Sequence, residues 1–527
     1  MGFKNIKIGK VNDFKEGEMK NVSVGDANEI LVIKTKGKIS ALAAYCTHYG
    51  APLAEGILNG DKIICPWHHA CFNAHSGDLL EPPAFEALPK FNVLIDEDNV
   101  SVDLPDELPS GRTPEMSIKE NEDAVFAIVG GGSAGYGASQ AMREAGFKGK
   151  IVMFTKENRT PYDRPNLSKD YLEGTAQPEW MPIRPDEFYK KYGIEVEFDK
   201  NVESISKKNK KIVFDDGTDF KFDKLLIATG GVPITLKVPG SDLKNIFYLR
   251  SFDNADEIIE AAKDSKKAVV IGSSFIGMES ANSLLERKLD VTVVSLDKIP
   301  FEQTLGKEIG KLIKKEHEKR GIKFKLGRKI KKFEGDEKLS SVLLDNGEKI
   351  DVELAVIGIG VKPATEIIDD VEKNSDGGIK VDETLKATEN IYAAGDVASF
   401  FSKGLNQHTR IEHWRTAMQQ GRIAGFNMAD VKKEYTSTPF FWTKQGSITI
   451  DYVGHAKEWD DIIIAGDVTS EKFIAFYALE GKVIAAAGSN SSRELIAVQE
   501  LLEKDKMPEA SELKNKGLDL VKFLKNL

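Results

Sequence analysis

Apolar and polar residues follow different patterns in successive parts of the chain, and each pattern predicts a different kind of structure. In the N-terminal part, short β-rich runs are separated by Gly, Asn and Asp, which predicts a small all-β module. From Tyr435 onward, alternating runs predict an antiparallel sheet, followed by helices at Ser492 to Lys504 and near the end of the chain. The predicted strands of the N-terminal module are Ile30–Thr35, Ile39–Ala44, Lys62–Cys65, Phe91–Ile95 and Val100–Leu104.

Between these parts, residues Ala124–Ala138 predict a strand, a tight turn and a helix. Gly130, Gly132 and Gly135 stand in the G-x-G-x-x-G spacing of dinucleotide sites. In such sites the glycines allow the turn, the close approach of backbone to pyrophosphate, and close helix–strand packing, while phosphate lies at the helix N-terminus. Glu157, 22 residues beyond Gly135, follows the next apolar run, where a carboxylate can hold the adenosine ribose. A glycine-rich turn without a ligand is the alternative.

The same strand, turn and helix pattern recurs at residues Ala268–Ala281. Gly272 and Gly277 hold the first and third glycine positions, and Ser274 replaces the middle one. The duplication predicts two Rossmann-like units in one chain. The serine predicts looser or displaced nucleotide binding, unless Ser273 and Ser274 donate to the pyrophosphate. A helix start without a ligand remains the alternative.

Composition adds limits to this picture. With 527 residues and 41% hydrophobic content, the chain can bury several cores, and three to five domains are expected at ~100–200 residues each. The net charge of −10, with lysines and acids interspersed, argues against a nucleic-acid partner. We find no apolar run of membrane-spanning length and no apolar signal segment at the N-terminus, so we expect no membrane span and a cytoplasmic location.

All three cysteines, Cys46, Cys65 and Cys71, lie within 26 residues, which indicates a metal site and not a disulfide framework. Cys46 is followed two residues later by His48. After sixteen further residues, Cys65 is followed three residues later by His68. Two thiolates and two imidazoles suit zinc or a Rieske [2Fe–2S] centre, in which two histidines replace two cysteines on one iron. The spacing alone does not choose between them.

The segments YCTHYGAPLAEG and CPWHHACFNAHSGD resemble the two cluster-binding loops of Rieske ferredoxins. The resemblance implies that Cys46 and Cys65 ligate one iron of a [2Fe–2S] cluster. It also implies that His48 and His68 ligate the other iron. A zinc ribbon or a buried Cys/His set is the alternative.

Other positions in these loops qualify the resemblance. High-potential Rieske proteins carry a disulfide between the loops, but Ala51 and Trp67 stand at the matching positions, which predicts a lower potential. His69 stands where glycine is usual, which affects the local turn and solvent access. Cys71 is expected to be a small buried hydrophobe beside the cluster.

The first glycine motif and three further segments, Thr160–Leu172, Lys224–Gly230 and Asn390–Ala398, together resemble the FAD-binding blocks of two-dinucleotide-domain flavoprotein reductases. The best fit is to ferredoxin reductases of oxygenase systems and apoptosis-inducing-factor proteins. The residues implied at FAD are Gly130, Gly132, Gly135, Glu157, Arg164, Lys169, Val202, Thr229, Gly230, Arg250, Asp396 and Trp414. Those implied at the nicotinamide nucleotide are Gly272, Ser274, Gly277 and Glu279.

By the same resemblance, Lys169 approaches the isoalloxazine and pairs with Glu279 at the nicotinamide, so both are candidate catalytic residues. Arg164 also approaches the isoalloxazine, Thr229-Gly230 form the turn beneath the cofactor, and Asp396 hydrogen-bonds the ribitol. Taken singly, each of these residues is as consistent with a solvated side chain or an ordinary turn.

The choice of nucleotide stays open. Relatives that prefer NAD carry an acid where this chain has Ser295, so repulsion of a 2′-phosphate is reduced, and Lys298 is close enough in sequence to attract one. Asp297 could equally replace the missing acid. We therefore expect NAD(P)H as the donor.

His408 and His413, with Glu412, form an H-x4-H pattern that resembles the iron site of a Rieske oxygenase. This interpretation is disfavoured because the segment directly follows the FAD block, and no large separate catalytic domain is present. In relatives this position carries an aromatic residue over the flavin, which places Trp414 at the flavin face. A buried helix tryptophan is the alternative.

The predicted fold class is multidomain: a small all-β Rieske domain, two α/β Rossmann-like domains for FAD and NAD(P), and an α+β C-terminal domain. This order resembles the Rieske-bearing apoptosis-inducing-factor-like oxidoreductases. The predicted boundaries are 1–105 for the Rieske domain, 106–123 for a linker, 124–238 and 360–432 for the FAD domain, 239–359 for the NAD(P) domain and 433–527 for the C-terminal domain.

The expected function is electron transfer from NAD(P)H through FAD to the [2Fe–2S] cluster. The cluster then passes electrons to an unidentified acceptor: an oxygenase, a cytochrome, a quinone or oxygen. FAD is required because nicotinamide moves two electrons and the cluster moves one. A redox-sensing flavoprotein with slow turnover is the alternative, and either a monomer or a homodimer is compatible with the sequence.

Overall fold

The computed structural model describes residues 3–25, 28–120, 122–402 and 404–527. It divides into two compact units, one formed by Met1–Ser117 with Ser491–Leu527 and the other by Ile118–Asn490. Residues 1, 2, 26 and 27 of the predicted Rieske domain and Asn121 of the predicted linker lie outside the described residues. The described part of that linker, 106–123, contains no helix or strand.

The first unit begins with a six-stranded antiparallel sheet. Apolar residues alternate along its strands because successive side chains point to opposite faces; in Asn99–Pro105 the buried residues are Val100, Val102 and Leu104. In sheet order the strands are Phe3–Lys10, Asn99–Pro105, Lys90–Asp96, Lys38–Ala43, Glu29–Thr35 and Glu18–Ser23. The five strands predicted for this module are confirmed to within one residue at each end, four of them in this sheet.

A second, four-stranded antiparallel sheet carries the two cysteine loops. Its strands are Ile57–Asn59, Lys62–Ile64, Cys71–Asn73 and Leu79–Glu81. The first predicted cluster loop, 46–52, precedes the first of these strands. The second loop, 65–70, connects the second strand to the third, so one short hairpin presents the second Cys–His pair.

Three C-terminal helices belong to the first unit: Ser492–Glu503, Ala510–Lys516 and Leu520–Lys525. The sequence predicts helices here but groups them with the preceding sheet in one domain over 433–527. That domain boundary stays a prediction; in the structure, Ile496 of the first of these helices is fully buried in a cluster with Ile57, Ile64 and Cys71.

The second unit contains a six-stranded sheet whose five leading strands are parallel. The short apolar run Val125–Val129 is buried on both faces, as parallel strands usually are. In order, the strands are Ile194–Glu197, Lys150–Phe154, Val125–Val129, Lys224–Ile227, Ile391–Ala393 and the antiparallel edge strand Lys386–Thr388. Helix Ser133–Glu144 follows the first glycine motif and packs against helix Trp414–Met428.

A separate five-stranded parallel sheet is formed by the part of the chain between Lys224–Ile227 and Ile391–Ala393, the fourth and fifth strands of the first sheet. Its strands are Ile246–Phe247, Leu354–Ile357, Lys267–Ile271, Asp290–Ser295 and Lys323–Leu326. Helix Phe275–Glu286 follows the second glycine motif, so the duplicated strand, turn and helix pattern is confirmed.

The last sheet of the second unit is five-stranded and antiparallel, as the alternating C-terminal pattern predicts. In order its strands are Phe440–Gln445, Ile448–Gly454, Lys482–Ser489, Lys472–Leu479 and Asp461–Asp467. In the part of the chain that the structure describes, no helix has both the length and the apolar character needed to cross a bilayer.

Smaller elements complete the second unit. The strands of three small sheets and a strand pair are Val202–Ser206, Lys211–Phe214 and Asp219–Lys221; Ile330–Gly335, Leu339–Leu344 and Lys349–Asp351; Ile379–Val381, Ala398–Ser402 and Gln407–Thr409; and Gly231–Pro233 with Val361–Pro363. The remaining helices are Asp170–Glu173, Asp186–Lys191, Phe252–Lys263, Glu302–Leu305 and Lys307–Arg320.

Candidate functional site

The four predicted iron ligands lie in the first unit as two pairs. The Cys46 and Cys65 side chains hydrogen-bond to each other, and both are almost fully buried. The rings of His48 and His68 are nearly perpendicular, at an interplanar angle of 80°, and their Nδ1 atoms lie 3.0 Å apart. Each iron of a Rieske cluster takes two protein ligands, so a thiol pair beside an imidazole pair fits that donor set. No group of three or more such side chains that could hold one metal ion occurs among the described residues.

Backbone N–H groups of the two loops point at the cysteine sulfurs. The Cys46 sulfur accepts a hydrogen bond from the N–H of His48, and the Cys65 sulfur accepts from Trp67 and His68. Donors aimed at sulfur favour the thiolate, which is the form that binds iron. The loop backbone is therefore arranged to stabilise bound thiolates.

The histidine side of this site is the more open side. His48 and His68 are partly exposed, in contrast to the buried cysteines. Tyr49 stacks on the His48 ring at a centroid distance of 3.9 Å, and Tyr49 and Trp67 are both exposed. A redox group held here is most accessible through its imidazole ligands.

Cys71 lies in the kind of environment that the sequence predicts, whereas the contact made by His69 could not be predicted. Cys71 is fully buried among apolar residues, as expected, and its thiol donates to the His69 carbonyl. His69, which occupies a position where glycine is usual, has a φ of +55° and is fully buried. Its Nδ1 lies 2.6 Å from Oε1 of Gln499, a contact that no local sequence pattern signals.

Most residues predicted at FAD line one cavity of about 960 Å³ in the second unit, at the upper end of the roughly 300–1,000 Å³ usual for ligand pockets. The predicted residues in its wall are Gly130, Gly132, Glu157, Arg164, Lys169, Val202, Thr229, Gly230, Arg250, Glu279, Asp396 and Trp414. The predicted residues Gly135, Gly272, Ser274 and Gly277 lie outside the cavity wall.

The glycines of the first motif are required for different reasons. A Cβ on Gly130 would lie 2.1 Å from the Ala228 carbonyl oxygen, and one on Gly135 would lie 2.1 Å from the Gly130 oxygen. A Cβ on Gly132 would meet no protein atom within 4 Å, although Gly132 lines the cavity. Protein packing thus explains Gly130 and Gly135, whereas Gly132 leaves open the space that a dinucleotide pyrophosphate would fill.

Glu157 and Arg164 form an ion pair in the cavity wall. Arg164 donates to Glu157 Oε1 at 2.8 Å, and the Tyr162 hydroxyl donates to Oε2 at 2.7 Å. Burial favours the neutral acid, but the charge and hydrogen bond of Arg164 outweigh it and hold the pKa of Glu157 below its ordinary value. A carboxylate has about four acceptor positions, so the ionised group retains capacity for ligand hydroxyls.

Arg250 connects this pair to Asp396. The Arg250 carbonyl accepts a hydrogen bond from Arg164 at 2.5 Å, and its guanidinium donates to Asp396 at 3.0 Å. The Thr229 hydroxyl donates to the Ala364 carbonyl, and Gly230 has a φ of +68°. The structure therefore brings together residues from four separated FAD blocks.

Lys169 and Glu279 form a largely buried ion pair. Lys169 Nζ lies 2.9 Å from Glu279 Oε2, which also accepts from the Ser168 hydroxyl at 2.6 Å. Glu279 Oε1 accepts from the Thr443 hydroxyl at 2.6 Å. Thr443 belongs to strand Phe440–Gln445, and no local sequence pattern indicates its role because this contact spans 164 positions.

Behind Thr443, a buried polar chain continues away from the cavity. Gln445 Nε2 donates to the Thr443 hydroxyl at 2.7 Å, and His317 Nε2 donates to Gln445 Oε1 at 3.1 Å. Burial lowers the pKa of His317 to about 4. His317 is therefore neutral at pH 7, and three successive donors are aligned toward the Glu279 carboxylate.

Trp414 and His413 lie at the start of helix Trp414–Met428 and line the cavity. Burial lowers the pKa of His413 to about 3. Trp414 Nε1 and His413 Nδ1 are buried and have no hydrogen-bond partner among the described residues. Buried polar atoms are normally paired, so these two fit a wall that a bound cofactor completes. His408 has different surroundings: its Nδ1 bonds to the Ser399 carbonyl.

In the second glycine motif, as in the first, protein packing leaves no room for a side chain at two of the glycines. A Cβ on Gly272 would lie 2.2 Å from the Gly358 oxygen, and one on Gly277 would lie 2.4 Å from the Gly272 oxygen. The exposed Ser274 hydroxyl makes only a 3.4 Å contact with the Gly358 carbonyl. Of the two serines considered as pyrophosphate donors, Ser274 is the one that faces solvent.

Ser273 is engaged elsewhere. Its buried hydroxyl donates to Ser295 Oγ at 2.8 Å and lies 3.2 Å from the Asp297 carboxylate. Ser295 Oγ lies 3.3 Å from the same carboxylate. An acid therefore stands beside the end of strand Asp290–Ser295, although Ser295 itself is not acidic.

Comparison with known protein families gives three matches along the chain. Residues 4–92 match the Rieske [2Fe-2S] domain, residues 125–421 match the pyridine nucleotide-disulphide oxidoreductase family, and residues 440–524 match the reductase C-terminal domain. The last match spans both the antiparallel sheet of the second unit and the helices of the first.

Individual proteins extend these matches over nearly the whole chain. Apoptosis-inducing factor 3 of Mus musculus is 35% identical over 505 residues, which cover 93% of this chain and 83% of that protein. Rhodocoxin reductase of Rhodococcus erythropolis is 30% identical over 72% of this chain and 89% of its own. The crystal structure of the ferredoxin reductase for the CYP199A2 system from Rhodopseudomonas palustris superposes with a TM-score of 0.72 at 29% identity. That match covers 76% of this chain and all of the other.

Proposed function

Because the chain belongs to the pyridine nucleotide-disulphide oxidoreductase family and carries a Rieske [2Fe–2S] domain, we propose that it moves electrons from NAD(P)H through FAD to its own Rieske cluster and on to a separate acceptor. It is an FAD-dependent NAD(P)H oxidoreductase, and its redox groups are FAD and a [2Fe–2S] cluster. When bound, FAD accepts electrons in pairs and releases them singly, and the cluster carries one at a time.

The observation that carries the relay is the presence of both kinds of site in one chain. The second unit has a large cavity with the Lys169–Glu279 pair in its wall, and the first unit has the paired cysteines and histidines. A chain with the flavin site alone would have to pass its electrons to a separate carrier protein. In this chain the one-electron centre is covalently attached, so that separate carrier is not needed.

We assign the cavity residues to FAD as follows. Gly130, Gly132 and Gly135 form the pyrophosphate turn, Glu157 holds the adenosine ribose, and Asp396 holds the ribitol. Arg164 and Arg250 fix these two carboxylates, which the short Arg–carboxylate contacts support. Thr229, Gly230, Val202 and Trp414 complete the wall.

Lys169 and Glu279 are assigned to the nicotinamide side, with Gly272, Ser274 and Gly277 at the nucleotide pyrophosphate. Glu279 receives hydrogen bonds from Lys169, Ser168 and Thr443, so its carboxylate is held in one orientation. Lys169 contributes a fixed positive charge in a site that is largely closed to water, where such charges act most strongly.

The acceptor is proposed to be a one-electron acceptor that approaches the histidine side of the cluster site. The partly exposed His48 and His68, beside exposed Tyr49 and Trp67, support that side as the exit. An oxygenase or a cytochrome fits this role better than a hydride acceptor, because the last group in the proposed sequence moves single electrons.

Anaerobic titration with NADH tests the relay. The full chain should take up about three electrons, two in FAD and one in the cluster, whereas Cys65→Ser should take up about two. Absorption and electron paramagnetic resonance spectra would separate the two centres. Uptake of two electrons by both proteins, with the cluster signal still silent, would rule out the relay.

A further inference from the structure

His69 has a backbone conformation that its own side chain does not favour. Its φ of +55° lies in the left-handed region, which is uncommon for residues other than glycine. Such conformations persist where the surroundings hold them. His69 directly follows His68, so any relaxation of its backbone would move the loop that carries this ligand.

The surroundings that hold His69 include the C-terminal helix Ser492–Glu503. His69 is fully buried, and its Nδ1 donates to Gln499 Oε1 at 2.6 Å. Gln499 is also buried, and its own amide lies 3.4 Å from Glu503. The contact joins residues 430 positions apart and lies within the first unit.

The next residue of the helix adds a second connection. The Glu500 carboxylate is buried, forms an ion pair with Lys62 and accepts from Asn59 Nδ2 at 2.6 Å. Lys62 and Asn59 belong to the strands of the hairpin that precedes the second cluster loop. A buried ion pair requires well-defined geometry on both sides, so it fixes the helix relative to this hairpin.

Apolar residues also join this helix to the four-stranded sheet. Ile496, one turn before Gln499 and Glu500, is fully buried with Ile57, Ile64 and Cys71. The helix therefore contacts the four-stranded sheet and its second cysteine loop through a hydrogen bond, an ion pair and a shared core.

From these contacts we propose that helix Ser492–Glu503 is a positioning element for the iron–sulfur cluster. Gln499 holds His69 in its left-handed conformation and so fixes the orientation of His68. The cluster-binding module is then built from both ends of the chain, and Gln499 is a positioning residue that acts through His69. This inference concerns the cluster alone and does not depend on the direction of electron flow.

Gln499→Leu in the full chain is the test, since it removes the acceptor and preserves most of the side-chain volume. Loss of a residue that orients a metal ligand lowers metal affinity by about tenfold or more, so we expect the cluster to be lost about tenfold faster to an iron chelator. The remaining cluster should show shifted or broadened g values and a shifted midpoint potential. FAD content and the rate of flavin reduction by NADH should not change, and they serve as the internal control for the second unit.

His69→Gly in the Gln499→Leu background is the matched rescue. Glycine adopts a positive φ without a side-chain support, so the double variant should recover the g values and chelator resistance of the parent. Glu494→Gln, on the exposed face of the same helix, should leave both measurements unchanged. The proposal is overturned if Gln499→Leu leaves the g values, potential and cluster loss as they are. It is equally overturned if the cluster is weakened but His69→Gly restores nothing, because the helix would then act only by packing.

Discussion

The Lys169 ammonium and the Glu279 carboxylate lie 2.9 Å apart in a position largely closed to solvent. Glu279→Gln keeps the shape of the side chain but leaves the lysine without its counter-charge. We expect the rate constant of flavin reduction by NADH to fall by about a hundredfold, with FAD content unchanged. Rapid mixing under anaerobic conditions measures it, and Glu308→Gln on an exposed helix face is the control. A rate constant within a factor of two of that of the parent would contradict the assignment of Glu279 to the nicotinamide site.

Asp297 offers a second test at the residue scale. Its half-buried carboxylate stands beside Ser295 at the end of the second strand of the inserted sheet, where it would repel a nucleotide 2′-phosphate. Asp297→Asn should therefore raise the ratio of kcat/KM for NADPH to that for NADH by about tenfold. Lys298→Gln should lower the same ratio. An unchanged ratio in Asp297→Asn would show that another group sets the preference.

Buried His317 predicts a pH dependence of stability. Burial depresses its pKa from 6.5 to about 4, so the folded protein resists protonation that the unfolded chain accepts. The stabilisation is complete above pH 6.5 and is lost as the pH falls toward 4, up to about 3 kcal/mol. The temperature of thermal flavin release should thus decrease between pH 7 and pH 5, and less steeply in His317→Gln. Parallel curves for the two proteins would contradict this.

At the scale of elements, the glycines of the first motif allow the roles of packing and of ligand binding to be tested separately. Gly135→Ala would place a Cβ 2.1 Å from the Gly130 oxygen, so it should prevent the second unit from folding. Gly132→Val meets no protein atom within 4 Å at its Cβ and keeps an extended backbone, so the protein should fold with weakened FAD affinity. Circular dichroism and FAD titration distinguish these outcomes. Equal FAD affinity in Gly132→Val would place the pyrophosphate elsewhere.

Local patterns predicted the elements well because each is determined by nearby residues. The β-module strands, both glycine motifs with their helices, and the C-terminal helices all follow from periodicity and turn residues. The polar chain from Glu279 through Thr443 to His317, and the Gln499 contact of His69, could not be predicted from such patterns. The contacts of Glu279 with Thr443, of His317 with Gln445 and of His69 with Gln499 each join residues more than a hundred positions apart, and a residue type alone does not indicate which distant residue it contacts.

At the scale of the whole molecule, the order of the predicted domains along the chain differs from the grouping of residues in the two compact units. Residues 491–527 belong to the first compact unit, so the predicted C-terminal domain over 433–527 includes parts of both units. A chain of residues 118–490 should therefore bind FAD and be reduced by NADH. A chain of residues 118–527 should aggregate, because Ile496 and its neighbours would lose the partners that bury them. Light scattering and flavin absorption measure both, and a monodisperse 118–527 chain would contradict the division.

The order of electron flow is tested most directly by mixing the full chain with NADH under anaerobic conditions and following both centres in time. Flavin absorption should fall first, and the cluster signal should rise afterwards at a rate no faster than flavin reduction. Cys65→Ser should show the same flavin phase and no cluster phase. A cluster that stays oxidised while the flavin turns over with an acceptor would contradict the relay. Flavin reduction too slow to support turnover would favour a redox-sensing role instead.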